Sequence, residues 1–185
     1  MVYTPDNMPN YFDLNKAEVG NKFEIMPNGE IVLVRTFIKP GGYNDPARNF
    51  TDGLVTHNPA TGTMYLSMEY TVVAGKYKGR KVWGQIGLHS PKGPTWAEMG
   101  CSFIRGMIDS SKGLAPDDMS PNAQEARRIS GFKDLDNLVF VAKIEVETGI
   151  KGDRNTIKYP ITKEHPNYAS IMSSVSAPNI PTWGQ

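Results

Sequence analysis

The chain has 185 residues, with 20 Lys and Arg against 19 Asp and Glu, a net charge of +1 and one cysteine. These numbers exclude an intrachain disulfide, a Cys-built zinc site and a wholly basic, histone-like binder, so any nucleic-acid site must be a local patch. The length allows one domain with a real core, and 18 Gly and 14 Pro favour turns and short strands over long helices.

Residues 1–22 are polar and turn-rich, with scattered aromatics (Tyr3, Tyr11, Phe12), and read as an arm. Met1 to Asn7 has no basic region followed by an apolar block, so no signal peptide is expected. No apolar run reaches the length of a membrane span. Together with the lone cysteine, this favours a cytoplasmic location.

Met26-Pro27-Asn28-Gly29-Glu30 is a turn. Ile31 to Lys39 is β-branched and apolar and predicts a strand, with Leu33, Arg35 and Phe37 on one face. Pro40-Gly41-Gly42 ends it. A long loop is expected to about Thr63, a length that signals function or disorder. Met64 to Val73 predicts the second strand. Met64, Leu66, Met68, Tyr70 and Val72 face inward, while Tyr65, Ser67, Glu69 and Thr71 face outward.

Val72 to His89 then reads as a strand end, a basic Gly-containing turn and a third strand. From Tyr70 to Ala97 no residue is acidic, while Lys76, Lys78, Arg80, Lys81 and Lys92 are cationic, with Tyr77 and Trp83 among them. Single-stranded nucleic acid needs this combination: cations follow the phosphates, and ring faces stack on bases without reading their identity. The competing reading is a solvated hairpin whose Trp83 is covered by a loop or by the arm. A Trp on the polar face of a strand is the informative feature, because an exposed large aromatic needs a reason. Antiparallel pairing would put Tyr65, Trp83 and Lys81 on one surface.

Thr95-Trp96-Ala97-Glu98 predicts a capping box opening a helix to about Ser111, with Trp96, Met99, Phe103, Met107 and Ile108 as its core stripe. Cys101 falls in that helix and is expected to be a buried thiol. Gly113 suits a C-terminal cap. Ser120-Pro121 can open a short helix through Arg128. Arg127, Arg128, Asp109, Asp117, Asp118, Asp134 and Asp136 read as solvated polar surface rather than a metal-dependent nuclease cluster. Leu138 to Glu147 predicts the fourth strand and Asn155 to Thr162 the fifth. A basic turn carrying Lys151 and Arg154 joins them, and Pro160 suggests an edge. From Lys163 onward the chain is polar and Pro-rich, ending in a tail that carries Trp183.

The order of three strands, one main helix and two strands predicts a mainly β fold, a five-stranded OB-fold-like barrel with its helix between strands three and four. Such barrels bind oligonucleotides on the strand 2–3 face, flanked by the loops joining strands 1–2 and 4–5. The expected organisation is an arm over 1–22, the barrel over 23–168 and a flexible tail over 169–185. Tyr65, Trp83, Phe37 and Tyr77 are the candidates to stack on bases. Arg35, Lys39, Lys76, Lys78, Arg80, Lys81, Lys151, Arg154 and Lys158 are the candidate cations of the cleft and its flanking turns. His57, His89 and His165 have no ligand spacing, and no phosphate-cradling Gly motif occurs, so neither metal nor cofactor is expected.

The block Gly75-Lys76-Tyr77-Lys78-Gly79-Arg80-Lys81-Val82-Trp83 resembles a family of phage-encoded single-stranded DNA-binding proteins, long filed as a domain of unknown function in phage replication and recombination modules. The helix from Met99 to Gly113, the strand–turn–Asn155-Thr156-Ile157 pattern and the Met26–Glu30 turn extend the likeness over roughly 23–168. The resemblance implies an OB-fold, binding of single-stranded DNA without base specificity, and no catalysis. Recruitment of replication or recombination proteins through the C-terminal tail, and self-association, are open. The alternative is a protein-interaction or inhibitor module on the same barrel that grips a partner through its exposed aromatics.

Overall fold

The alternation Met64, Leu66, Met68, Tyr70, Val72 buries every second side chain of a ten-residue strand, and the rest of the sheet is arranged around it. The structure, a computed structural model, describes residue 15 and residues 24–150 and 152–175. The arm other than Asn15, Lys151 and the tail beyond Val175 lie outside the described residues. The strands are β1 (Ile31–Lys39), β2 (Tyr43–Asp45), β3 (Phe50–Asn58), β4 (Thr63–Val72), β5 (Lys81–His89), β6 (Val139–Gly149) and β7 (Gly152–Ile161). The helices are α1 (Thr95–Lys112), α2 (Pro121–Ala126) and α3 (Tyr168–Met172). The fold is mainly β: one curled antiparallel sheet with few helices, ordered β2-β3-β4-β1-β6-β7, with β5 on the other edge of β4.

β4 is long enough to hold two strands end to end on one edge. Its first residues pair with β3 and its last six with β1, while β5 runs along the opposite edge from Met64 to Thr71. β1 then passes to β6, and β6 to β7. The sheet curls until β5 and β7 come within 8 Å, Cα to Cα, without pairing, and α1 packs under both.

The inner face is one cluster in which Val34, Val55, Leu66, Met68, Val72, Phe140, Ala142 and Ile144 are nearly or fully inaccessible. At about 25 cal/mol per Å² of apolar surface, such burial is what stabilises a sheet whose outer face is polar. A smaller cluster (Leu33, Val141, Ile161, Tyr168) forms where α3 covers one end of that outer face. The Tyr168 hydroxyl donates to the Ser110 carbonyl, and Ser110 Oγ accepts from the Val141 amide at 3.0 Å, so α3, α1 and β6 are tied together. Asn155 of β7 clamps the segment before β1: it accepts from the Met26 amide at 2.9 Å and donates to the Met26 carbonyl at 2.8 Å.

Seven strands are described where five were expected, because the expected 40–63 loop folds as the β2–β3 hairpin. Phe50 and Val55 are buried, and Tyr43 packs on His57 with ring centroids 4.7 Å apart and the rings tilted by 35°. The register shift between Tyr43 and Asp45 and the left-handed Gly53 (φ +70°) break the period-two pattern that would have marked this strand.

The α1 N-terminus also differs from expectation. Thr95 is the first helical residue, Pro94 holds the cap position in a helical conformation, and no side chain caps the helix. Gly113 does cap the other end, in the left-handed region at φ +63°. Cys101 is exposed rather than buried, since the face that enters the core is Gly100, Ile104, Met107 and Ile108. Asp109 and Arg127 are not solvated. The Asp109 carboxylate is buried and accepts from Arg127 Nε at 2.7 Å, and Arg127 also donates to the carbonyls of Ala115 and Asp118, which folds the connector back onto α1.

The α1 helix lies close against β5. A Cβ on Gly100 would collide with the Gly87 carbonyl oxygen, and one on Gly87 would overlap the Trp96 ring. Gly100→Ala therefore forces the helix off the strand. It should cost roughly 1–3 kcal/mol, read as a lower urea midpoint at constant m-value.

Candidate nucleic-acid interface

Strand pairing fixes three cross-strand rows on the solvent side of β1, β4 and β5. They are Arg35–Thr71–Lys81, Phe37–Glu69–Trp83 and Lys39–Ser67–Gln85. Phe37 is 46% and Trp83 53% exposed, so two large aromatic side chains stand in water on the same row. At ~4.8 Å between neighbouring strands, they sit roughly 10 Å apart with Glu69 between them.

That carboxylate organises its surroundings. Glu69 Oε1 accepts from Lys81 Nζ at 2.6 Å, and Oε2 accepts from Trp83 Nε1 at 3.1 Å. The Lys81 hydrogen bond, helped by the Trp83 donor, holds the Glu69 carboxyl below the usual glutamate range. Lys39 Nζ lies 6.0 Å from the centroid of the Trp83 ring, within reach of its π face. Trp83 is thus held at its indole edge while its ring remains exposed.

Across the β5–β7 gap the sheet encloses a cleft of about 680 Å³. One wall is Lys39, Trp83 and Gln85, the other is Glu145, Glu147, Arg154, Thr156 and Lys158, and α1 contributes Trp96, Met99 and Phe103. Met68, Tyr70, Ile86 and Ile157 form its floor. On the second wall the charges are paired. Arg154 donates twice to Glu147 Oε2, at 2.7 and 3.0 Å, and Lys158 meets Glu145 at 3.0 Å, which pushes the Lys158 ammonium pKa up.

The structure brings Arg35, Phe37, Lys39, Lys81 and Trp83 onto one face, with the β4–β5 turn bearing Lys76, Lys78 and Arg80 at its end. It does not bring every sequence candidate there as a bare group. Tyr65 shares the face, but its ring lies 6.2 Å from Trp96, which covers that end. Tyr77 packs partly against the core, with Lys76 Nζ 5.0 Å from its ring centroid. Arg154 and Lys158 stand across the cleft on β7, and Lys151 lies outside the described residues.

Sequence reasoning passed over Glu69, Glu145 and Glu147, which neutralise Lys81, Lys158 and Arg154. Their pairing follows from cross-strand register, which single strands do not reveal. It also assigned Trp96, Met99 and Phe103 wholly to the core, and Tyr70 to an inward face with no further role. Tyr70 is only 2% exposed, and burial pushes its phenol pKa up. Among the described residues no group of three or more His, Cys, Asp or Glu side chains could hold a metal ion, and no helix is long and apolar enough to cross a membrane.

Removing the Glu69 charge should strengthen anion binding on this face. Glu69→Gln is expected to tighten binding of oligo-dT about two- to fivefold, and to steepen the log–log salt slope by up to roughly 0.7. Because the folded carboxyl titrates below its ordinary value, wild type carries the charge above that pKa and loses it as pH falls through it. The difference between variant and wild type should therefore persist at neutral pH and close only in that acid window. Parallel titrations at several pH values check this. No protein-family model matches the chain, and none of the curated proteins compared with it matches either.

Proposed function

We propose that this protein binds single-stranded DNA without base specificity on the outer face of β1, β4 and β5. One observation carries the reading: Phe37 and Trp83, both about half exposed, share a row on a surface where cations far outnumber carboxylates. In β1, β4, β5 and the β4–β5 turn, Arg35, Lys39, Lys76, Lys78, Arg80 and Lys81 stand against Glu69 as the single acidic residue. Rings of this kind stack on bases of any identity, and the cations track the backbone.

The OB-fold reading is part of the same proposal. β1, β4, β5, β6 and β7 serve as the five barrel strands, with β1 between β4 and β6, β5 facing β7, and α1 closing the end of the barrel. The β2–β3 hairpin is then an insertion between the first two barrel strands. The stacking row lies on the strand 2–3 face used by such barrels. A setting in phage replication or recombination rests on the resemblance of the Gly75–Trp83 block.

A second reading is favoured by the Glu145–Lys158 and Glu147–Arg154 pairs, which leave the β6–β7 wall close to neutral. A polypeptide partner would suit that wall better than a phosphate backbone. Intrinsic fluorescence of the full chain, titrated with oligo-dT and with duplex DNA at two salt concentrations, separates the two. Three to five phosphate contacts give a log–log slope of about −2 to −3.5 on a single strand. Salt-sensitive quenching by oligo-dT with little from duplex is the expected result, and no response at low salt transfers the face to a protein partner.

A further inference from the structure

Tyr70 belongs to the core by burial, yet it lines the floor of the cleft. Its ring packs edge-on against Phe140, with centroids 6.0 Å apart at 81°. Burial alone raises its phenol pKa, with no hydrogen bond contributing, and since no fully buried side-chain polar atom among the described residues lacks a partner, its unpaired hydroxyl must open onto the cleft. The group is not sealed in. Val82 faces it across the β4–β5 pair, but the diagonal neighbour on β5 carries no side chain: Gly84, paired with Met68, stands on the inner face between Val82 and Ile86, and a Cβ there would only reach ordinary contact with Tyr70 Cε2 at 3.6 Å. Gly84 has no positive φ, so conformation does not demand a glycine. The result is a window beside Trp83, walled by Ile86, Phe103 and Ile157, with one uncommitted donor at its base.

We infer that this window receives one nucleobase of the bound strand, which leaves the row stacked on Trp83, passes over Gly84 and accepts a hydrogen bond from the Tyr70 hydroxyl. The walls are apolar and suit a planar ring. A single donor asks only for a ring carbonyl or ring nitrogen, which every base offers, so the pocket adds affinity without fixing sequence. The inference rests on the single-strand reading and assigns that site a depth the surface row lacks.

Tyr70→Phe keeps the ring and its Phe140 contact and removes only the hydroxyl. Gly84→Val narrows the window with a residue well suited to a strand. Both variants and wild type are titrated with oligo-dT by fluorescence, and their melting temperatures are measured. Both variants are expected to bind about three- to tenfold more weakly, with the Trp83 quench retained at saturation. The Tyr70→Phe melting temperature should be unchanged or raised, because no hydrogen bond within the protein is lost. If wild type binds and both variants match its affinity, the pocket is overturned while the surface reading stands. If Tyr70→Phe weakens binding only together with a lowered melting temperature, its role is structural and the pocket is overturned again. If oligo-dT does not quench wild type, the single-strand reading itself fails, and the pocket with it.

Discussion

The double variant Phe37→Ala/Trp83→Ala should lose on the order of 10²- to 10³-fold in affinity for oligo-dT while keeping its fold. Each base–aromatic contact is worth about 1–3 kcal/mol on truncation. The two rings stand one strand apart on either side of β4, far enough for their effects to approach additivity. Both side chains are about half exposed, so little buried surface is lost and the melting temperature should hardly move. The single variants should each show part of the loss, and Trp83→Ala should also remove most of the fluorescence response. Trp83→Ala has a second consequence. It frees Glu69 Oε2, and the salt slope should stay near that of wild type because the cations are untouched. Wild-type affinity in the double variant, with the fold intact by circular dichroism, would remove this row from the interface.

Phe140→Ala should be the most damaging substitution for stability, at about 3–5 kcal/mol. Phe140 is fully buried at the start of β6, opposite Val34 of β1, and its ring supports Tyr70 edge-on. Removing it leaves a cavity where the curled sheet meets the cleft floor, and the surrounding strands are hydrogen-bonded on both edges and cannot collapse into it. For a protein of this size the melting temperature should fall on the order of 10 °C. Urea unfolding at constant m-value checks that stability, rather than compactness of the unfolded chain, has changed. Phe140→Leu refills most of the volume and should recover more than half of the loss.

The mainly β class, the paired faces of β4 and β5 and the helix ended by Gly113 were legible because each rests on short-range periodicity. Met64 to Val72 alternates without a break, and alternation is the direct signature of a half-buried strand. The β2–β3 hairpin was not legible, since Gly53, Asn49 and the shifted register interrupt the period over most of its length. The capping box failed for a similar local reason: Pro94 adopts helical angles and takes the position intended for Thr95.

For the candidate site, the sequence by itself determined that acid-free cations and aromatics are concentrated between Tyr70 and Ala97, and that Trp83 lies on the polar side of its strand. Only the tertiary structure decided which of them meet. Register across β1, β4 and β5 placed Phe37 in line with Trp83 and put Glu69 between them. Packing of α1 covered Tyr65 with Trp96, and the curl of the sheet carried β7 to the far side of a cleft, where Glu145 and Glu147 already hold Lys158 and Arg154. The physical reason is that periodicity encodes the face a side chain takes on its own strand. Which residues neighbour it across strands depends on hydrogen-bond register and sheet curvature, and these are set by residues far apart in the chain.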